Sequence, residues 1–226
     1  MDLKFIGIGG AFNTKLGTNA AYIKENKKIL FIDFGLDTFE KVVKNKLIDD
    51  AEEVYILITH LHGDHVGGLP TFIQYAYFGF NKVVKIINNS ETFTNEVKKL
   101  LDITAVGNDN YEFIDIKKLP FSFKASLRLT THHPLLECYN IIFTNENGEK
   151  ILYTSDSNDI EFLKEAINDK TYIKIYTEVG ETPSVHTDYN ELIKLDKSKL
   201  VLMHIESMDL YERVLEDGYK VPTHLK

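Results

Sequence analysis

Short apolar runs and segments of helical period alternate along this 226-residue chain. Residues 3–8 read as a strand, punctuated by Gly7, Gly9 and Gly10, and residues 20–24 and 28–33 read as two more. Residues 36–46 place Phe39, Val42 and Val43 on one helical face. A solid apolar strand over 54–59 runs into a polar, histidine-rich stretch. Residues 68–80 predict a helix, 83–87 a strand, and 90–101 a helix capped by Ser90, with Phe93, Val97, Leu100 and Leu101 on its apolar side. The second half continues in the same style. Strand signals fall at 111–116, 121–131, 139–144, 150–154, 172–177 and 200–204, and helices at 159–167, 189–195 and 208–215.

Strands outnumber helices and cluster with helices between them. That pattern predicts an α/β (α+β) chain folded as an αββα sandwich: two mixed sheets covered by helices, in one domain over residues 1–226. No apolar run reaches the roughly 18 residues a membrane span needs. Residues 1–10 lack the basic region and cleavage site of a signal peptide. The single cysteine, Cys138, excludes an intramolecular disulfide and suits a reducing cytoplasm. As a lone thiol it is either a buried small hydrophobe or a nucleophile, and the first role is the commoner. A net charge of −8 argues against a stable nucleic-acid partner, because phosphate binding wants a basic face. Gly7, Gly9 and Gly10 lack the third glycine and the following helix of a dinucleotide fingerprint.

The chemistry concentrates in His60-Leu61-His62-Gly63-Asp64-His65, with four candidate metal ligands in six residues. Alternate positions of an extended tip point the same way, so His60 and His62 can share a cation. Gly63 permits a sharp turn. Asp64 and His65 then face a second cation. Imidazole and carboxylate suit zinc and its neighbours. Further candidates lie at predicted strand ends: His132 and His133, His204, and Asp156, whose two oxygens can bridge two ions. Alternation from Leu127, Leu129 and Thr131 favours His133 over His132.

The HxHxDH pattern resembles the metallo-β-lactamase superfamily. The resemblance runs the length of the chain, from Gly7-Ile-Gly-Gly-Ala11 and Ile32-Asp-Phe-Gly35 through residues 60–68 to His132/His133, Asp156 and His204. It implies two divalent cations, zinc or manganese. One would take His60, His62 and His132 or His133; the other would take Asp64, His65 and His204, with Asp156 between them. Tyr176-Thr-Glu178, Val185-His186-Thr187 and Leu202-Met-His204 are similar to ribonuclease Z-like phosphodiesterases, in which a glutamate orients a histidine that protonates the leaving alkoxide. Here these would be Glu178 and His186, which join Asp64 as the residues expected to carry catalysis.

Ribonucleases of that group grip tRNA with a long arm. Only 22 residues (134–155) separate His133 from Asp156, and 21 (157–177) separate Asp156 from Glu178, which leaves no room for one. The chain looks like the short cyclic-nucleotide phosphodiesterases of the phage anti-Pycsar type. That likeness implies a small cyclic nucleotide as substrate, opened from a 3′,5′-cyclic mononucleotide to a 5′-monophosphate, and a homodimer in the host cytoplasm. An RNA endonuclease, or a thioesterase or lactonase on the same scaffold, is the alternative. The aromatic run Phe72, Tyr75, Tyr77, Phe78, Phe80 packs as helix core, stacks a base or forms a dimer face.

Overall fold

The computed structural model describes residues 3–181 and 185–226. Strands β1 (Lys4–Gly7), β2 (Ala20–Glu25), β3 (Lys28–Ile32), β4 (Glu53–Leu57), β5 (Val84–Asn88) and β6 (Tyr111–Asp115) form a six-stranded sheet in sequence order. Strands β7 (Lys124–Thr130), β8 (Cys138–Thr144), β9 (Lys150–Tyr153), β10 (Tyr172–Val179) and β11 (Leu200–Ile205) form a five-stranded sheet, also in sequence order. Each sheet begins with antiparallel pairs and ends with parallel ones. The parallel connections carry helices, as right-handed crossovers require.

Alternation along the first sheet sorts its side chains into two layers. Leu30, Ile32, Tyr55 and Leu57 join Ile141, Phe143, Tyr153 and Ile175 of the second sheet in one core. Ile29, Phe31, Val54 and Ile56 face the other way, toward helices α1 (Thr38–Lys44), α3 (Leu69–Phe80) and α4 (Glu91–Ile103). Helices α5 (Ile160–Asn168), α6 (Tyr189–Leu192) and α7 (Met208–Glu216) accompany the second sheet. The arrangement is the expected αββα sandwich.

The Ser90 hydroxyl accepts from the Phe93 amide at 3.0 Å and caps α4 as its sequence predicts. The aromatic run of α3 is mainly core. Phe72 is fully buried and stacks on Phe34 at 4.2 Å, while Tyr75 meets Phe39 and Phe80 edge-on. Phe78 alone of the five points well into solvent. The predicted 189–195 helix is shorter and ends at Leu192. Residues 63–66 form a helical turn, α2 (Gly63–Val66), which the sequence pattern did not predict. Gly63 opens that turn without a left-handed backbone, and a Cβ built on it meets nothing within 4 Å. The sharp reversal expected there is replaced by ordinary helical geometry.

Among the described residues no helix is long and apolar enough to cross a membrane. Cys138 is fully buried, and burial pushes its thiol up to about 11, so it is core and not a poised thiolate. Residues 1 and 2, part of the segment weighed as a signal peptide, lie outside the described residues.

Candidate metal centre

Strand β4 stops at Leu57, and the chain passes extended through Thr59 and His60 to His62 before α2 begins. Strands β7, β9 and β11 reach the same end of the sandwich from the other sheet. His132 follows β7, Asp156 follows β9 and His204 is the last residue but one of β11. Seven side chains converge there from both halves of the chain.

His62 Nδ1 lies 3.0 Å from His60 Nε2 and 3.2 Å from His132 Nε2. Oδ2 of Asp156 stands 3.7 Å from both His60 Nε2 and His132 Nε2. On its other side Asp156 Oδ1 is 3.4 Å from His65 Nε2, and Oδ2 is 3.3 Å from His204 Nε2. Asp64 Oδ2 completes this second group, 3.3 Å from His65 Nε2 and 3.2 Å from His204 Nε2. Within each group every donor atom lies within 4.8 Å of every other, and Asp156 belongs to both.

His132, not His133, occupies the position beside His60 and His62, which corrects the preference drawn from alternation. Ala125 and Leu127 do pack against the core, but the alternation does not hold to the end of the strand: Leu129 is 60% exposed and Thr131 is exposed, whereas Thr130 and His132 are buried. The amphipathic signal of β7 misleads at its end because Leu129 is the outward residue. His132 Nδ1 is fixed by the Val185 carbonyl at 2.6 Å, which aims Nε2 at His62. His133 stays at the rim, its ring 5.5 Å from that of His62.

The donors fit a cation on an observation independent of any family. His65 Nε2 and Asp156 Oδ1 are buried without a hydrogen-bond partner, and they face each other across 3.4 Å. Buried polar atoms are normally satisfied, and an ion between them would satisfy both. The field agrees. Burial works against charge on Asp156, yet the His204 and His65 imidazoles outweigh it and hold the carboxyl well below the ordinary range. Burial opposes charge on His204 too, but Asp156, Asp64 and Glu178 lift it to about 10. The group of Asp64, His65, Asp156 and His204 favours positive charge, whereas burial lowers the pKa of His60 and His62 and leaves them as neutral donors.

The supporting residues are held by unusual backbone. Asp33, Ser155 and His204 all have positive φ, 61°, 53° and 47°. Strain of this kind concentrates at functional sites. Asp33 accepts from the Thr59 amide at 2.7 Å and its hydroxyl at 2.9 Å, and from His65 Nδ1 at 2.8 Å. Positive φ at His204 coincides with a register shift where β10 pairs β11, and the irregularity turns its ring into the cluster. Gly35 packs so tightly under α2 that a Cβ would sit 2.0 Å from the Asp64 carbonyl. The sequence pattern marked Gly35 only as part of the acidic motif; Thr59 and Ser155, which brace that motif, carry no signal readable from one chain.

Glu178 is fully buried. Its Oε2 accepts from His186 Nδ1 at 2.5 Å and lies 3.6 Å from His204 Nδ1. Its Oε1 takes the amides of Ser157 and Thr187. Burial lowers the His186 pKa, but the Glu178 hydrogen bond and charge more than offset it and raise the pKa above its ordinary value. A cleft of about 580 Å³ opens over the cluster, lined by His62, Asp64, His132, Asp156, His186 and His204, with Phe12 and Leu36 at its mouth. A second cleft, about 660 Å³, runs beside the C-terminal segment; its lining holds one histidine and no carboxylate, so it offers no comparable donor set.

A family model described as Anti-Pycsar protein Apyc1 matches residues 1–218. The chain belongs to that family. An Anti-Pycsar protein Apyc1 of Paenibacillus sp. (strain J14) is 28% identical, over 90% of this chain and 89% of that one. Among solved structures, the metallo-β-lactamase fold protein YhfI of Bacillus subtilis superposes with a TM-score of 0.75 at 17% identity, covering 99% of this chain and 95% of that one. The human tRNase Z short form superposes at 0.67 with 16% identity, covering 100% and 98%. At these identities the two structures establish the fold, which is that of the metallo-β-lactamases.

Proposed function

We propose that this metal-dependent hydrolase opens 3′,5′-cyclic mononucleotides to 5′-monophosphates and so removes a nucleotide signal. The observation that carries the reading is the Glu178–His186 pair, joined at 2.5 Å beside the double donor cluster. A thioester hydrolase, whose thiolate leaves without a proton, has no need of a buried carboxylate holding a second histidine. A phosphodiester does, because its alkoxide leaving group must receive a proton.

His60, His62, His132 and Asp156 would hold one divalent cation, and Asp64, His65, Asp156 and His204 a second, with zinc or manganese suited to the donors. Cations there supply Lewis acidity, which activates water near neutral pH and neutralises phosphoryl oxygens. Glu178 takes the Nδ1 proton of His186 in a hydrogen bond and fixes the ring, leaving Nε2 to deliver a proton. Water adds to phosphorus and releases a proton to solvent, the P–O3′ bond breaks, and the His186 proton passes to O3′, after which His186 regains a proton from solvent. The Ser157 and Thr187 amides on Glu178 stop its carboxylate from rotating.

A cleft of about 580 Å³ suits a mononucleotide and not a tRNA acceptor stem. Between Asp156 and Glu178 the chain builds only α5 and strand β10, with no protruding arm. The acidic net charge points the same way. The proposed working form is a homodimer of single-domain subunits in the host cytoplasm.

Incubation with zinc or manganese and a panel of cyclic mono- and dinucleotides, ester substrates and precursor tRNA tests the reading, with products separated by chromatography. A 5′-monophosphate from a cyclic mononucleotide is the expected product. Turnover of esters or precursor tRNA alone would replace the proposal.

A further inference from the structure

Phe12 is 95% exposed, more than any other large apolar side chain among the described residues. It does not sit on a loose loop. Gly9 donates to Gly17 at 2.7 Å, Gly10 to the Ile205 carbonyl at 2.9 Å, and the Asn13 amide to the Gly10 carbonyl at 3.0 Å, closing a tight turn around Ala11 and Phe12. The buried Asn13 carboxamide ties the turn to the Ile205 carbonyl at 3.1 Å. Gly10 lies directly against the metal cluster, since a Cβ there would come within 3.3 Å of His204 Cε1. The turn is thus pinned at both ends to β11 while its tip holds an aromatic ring in water. That ring and Leu36, 66% exposed, form the apolar mouth of a cleft whose floor is imidazole and carboxylate.

We infer that Phe12, which shares the rim of the cleft with Leu36, is the platform on which the nucleobase of the substrate stacks, so that it sets base affinity without taking part in the chemistry. The inference rests on the phosphodiesterase reading above. Three features select a base over other occupants. The ring borders the same cleft as the groups that would hold the phosphoryl oxygens. The cleft, about 580 Å³, lies in the range of small-molecule sites and has room for one nucleotide. An aromatic ring carried on a pinned turn binds any base by its π-surface, with little backbone left to order on binding. Phe12 would meet the base alone, at the rim of the cleft and away from the metal cluster on its floor.

The test compares wild type, Phe12→Ala and Phe12→Tyr on 3′,5′-cyclic AMP, on 3′,5′-cyclic CMP, and on the base-free tetrahydrofuran analogue of the cyclic phosphate. Phe12→Ala should raise KM for the two nucleotides roughly five- to hundredfold, the range of single-base stacking losses, with kcat changed less than about twofold. The larger loss should fall on the purine. KM for the base-free analogue should stay unchanged, and Phe12→Tyr should behave as wild type. Unchanged nucleotide KM in Phe12→Ala, with wild-type turnover intact, would overturn the platform while leaving the phosphodiesterase reading in place. An equal loss on all three substrates, together with a shift in sedimentation, would instead make Phe12 a contact between two copies of the chain and also overturn it. Absence of wild-type turnover on either nucleotide would remove both proposals together.

Discussion

His65 donates from Nδ1 to Oδ2 of Asp33 across 2.8 Å, and this bond turns its Nε2 toward Asp64 and Asp156. Asp33 itself sits at φ 61°, a conformation asparagine tolerates well. Asp33→Asn should therefore keep the fold and lose the charge that fixes the imidazole. Equilibrium dialysis should find metal affinity reduced about 10- to 100-fold, the usual cost of removing such a partner. An unchanged circular dichroism spectrum would show that the loss is local.

His132 and His133 are neighbours with opposite fates. His132→Ala removes a donor within reach of His60, His62 and Asp156 and should cut both bound metal and turnover. His133→Ala should bind metal as wild type does. Metal content by mass spectrometry separates the two, and a metal-depleted His133→Ala with a normal His132→Ala would reverse the assignment.

His186→Ala should retain metal and lose about 10²- to 10⁴-fold in kcat, the range of a lost general acid. The acid works when protonated, so kcat should decline as pH rises through the His186 pKa, which Glu178 keeps above the ordinary histidine value. Glu178→Gln should shift that alkaline limb toward lower pH. The pair's contribution to stability has the same sign: it is present below the unfolded histidine pKa and is lost as pH rises through the folded one.

Chelation should destabilise the fold as well as stop the reaction. Metal at about 100 times its dissociation constant contributes about 2.7 kcal/mol, and a chain of this size shifts its melting temperature by about 2–4 °C per kcal/mol. Calorimetry with and without chelator should then differ by about 5–10 °C for each site filled. Asp156→Ala, which empties the position common to both donor groups, should abolish most of the difference.

Much of this was legible in the sequence because the site is built at strand ends, where periodicity breaks. The apolar run of β4 stops just before His60, so a pattern of side chains alone locates the cluster. His132 is the exception: Leu127 packs against the core but Leu129 is exposed, so alternation carried past the end of β7 points to His133 instead. The pattern was blind to α2, since four residues are too few for a helical period to register. Left-handed backbone at Asp33, Ser155 and His204 is likewise invisible, because none is glycine and tertiary packing imposes each. Phe12 reads from sequence as one more apolar residue; only its exposure and the bonds pinning its turn mark it out.

One half of the chain brings His60, His62, Asp64 and His65, and the other brings His132, Asp156 and His204. Neither half owns a complete set of donors. Ion capture is therefore a late event in the life of a new polypeptide, available only after the two layers have docked. A nascent or misassembled chain would hold no tightly bound ion, and the chemistry would be silent until the architecture is finished.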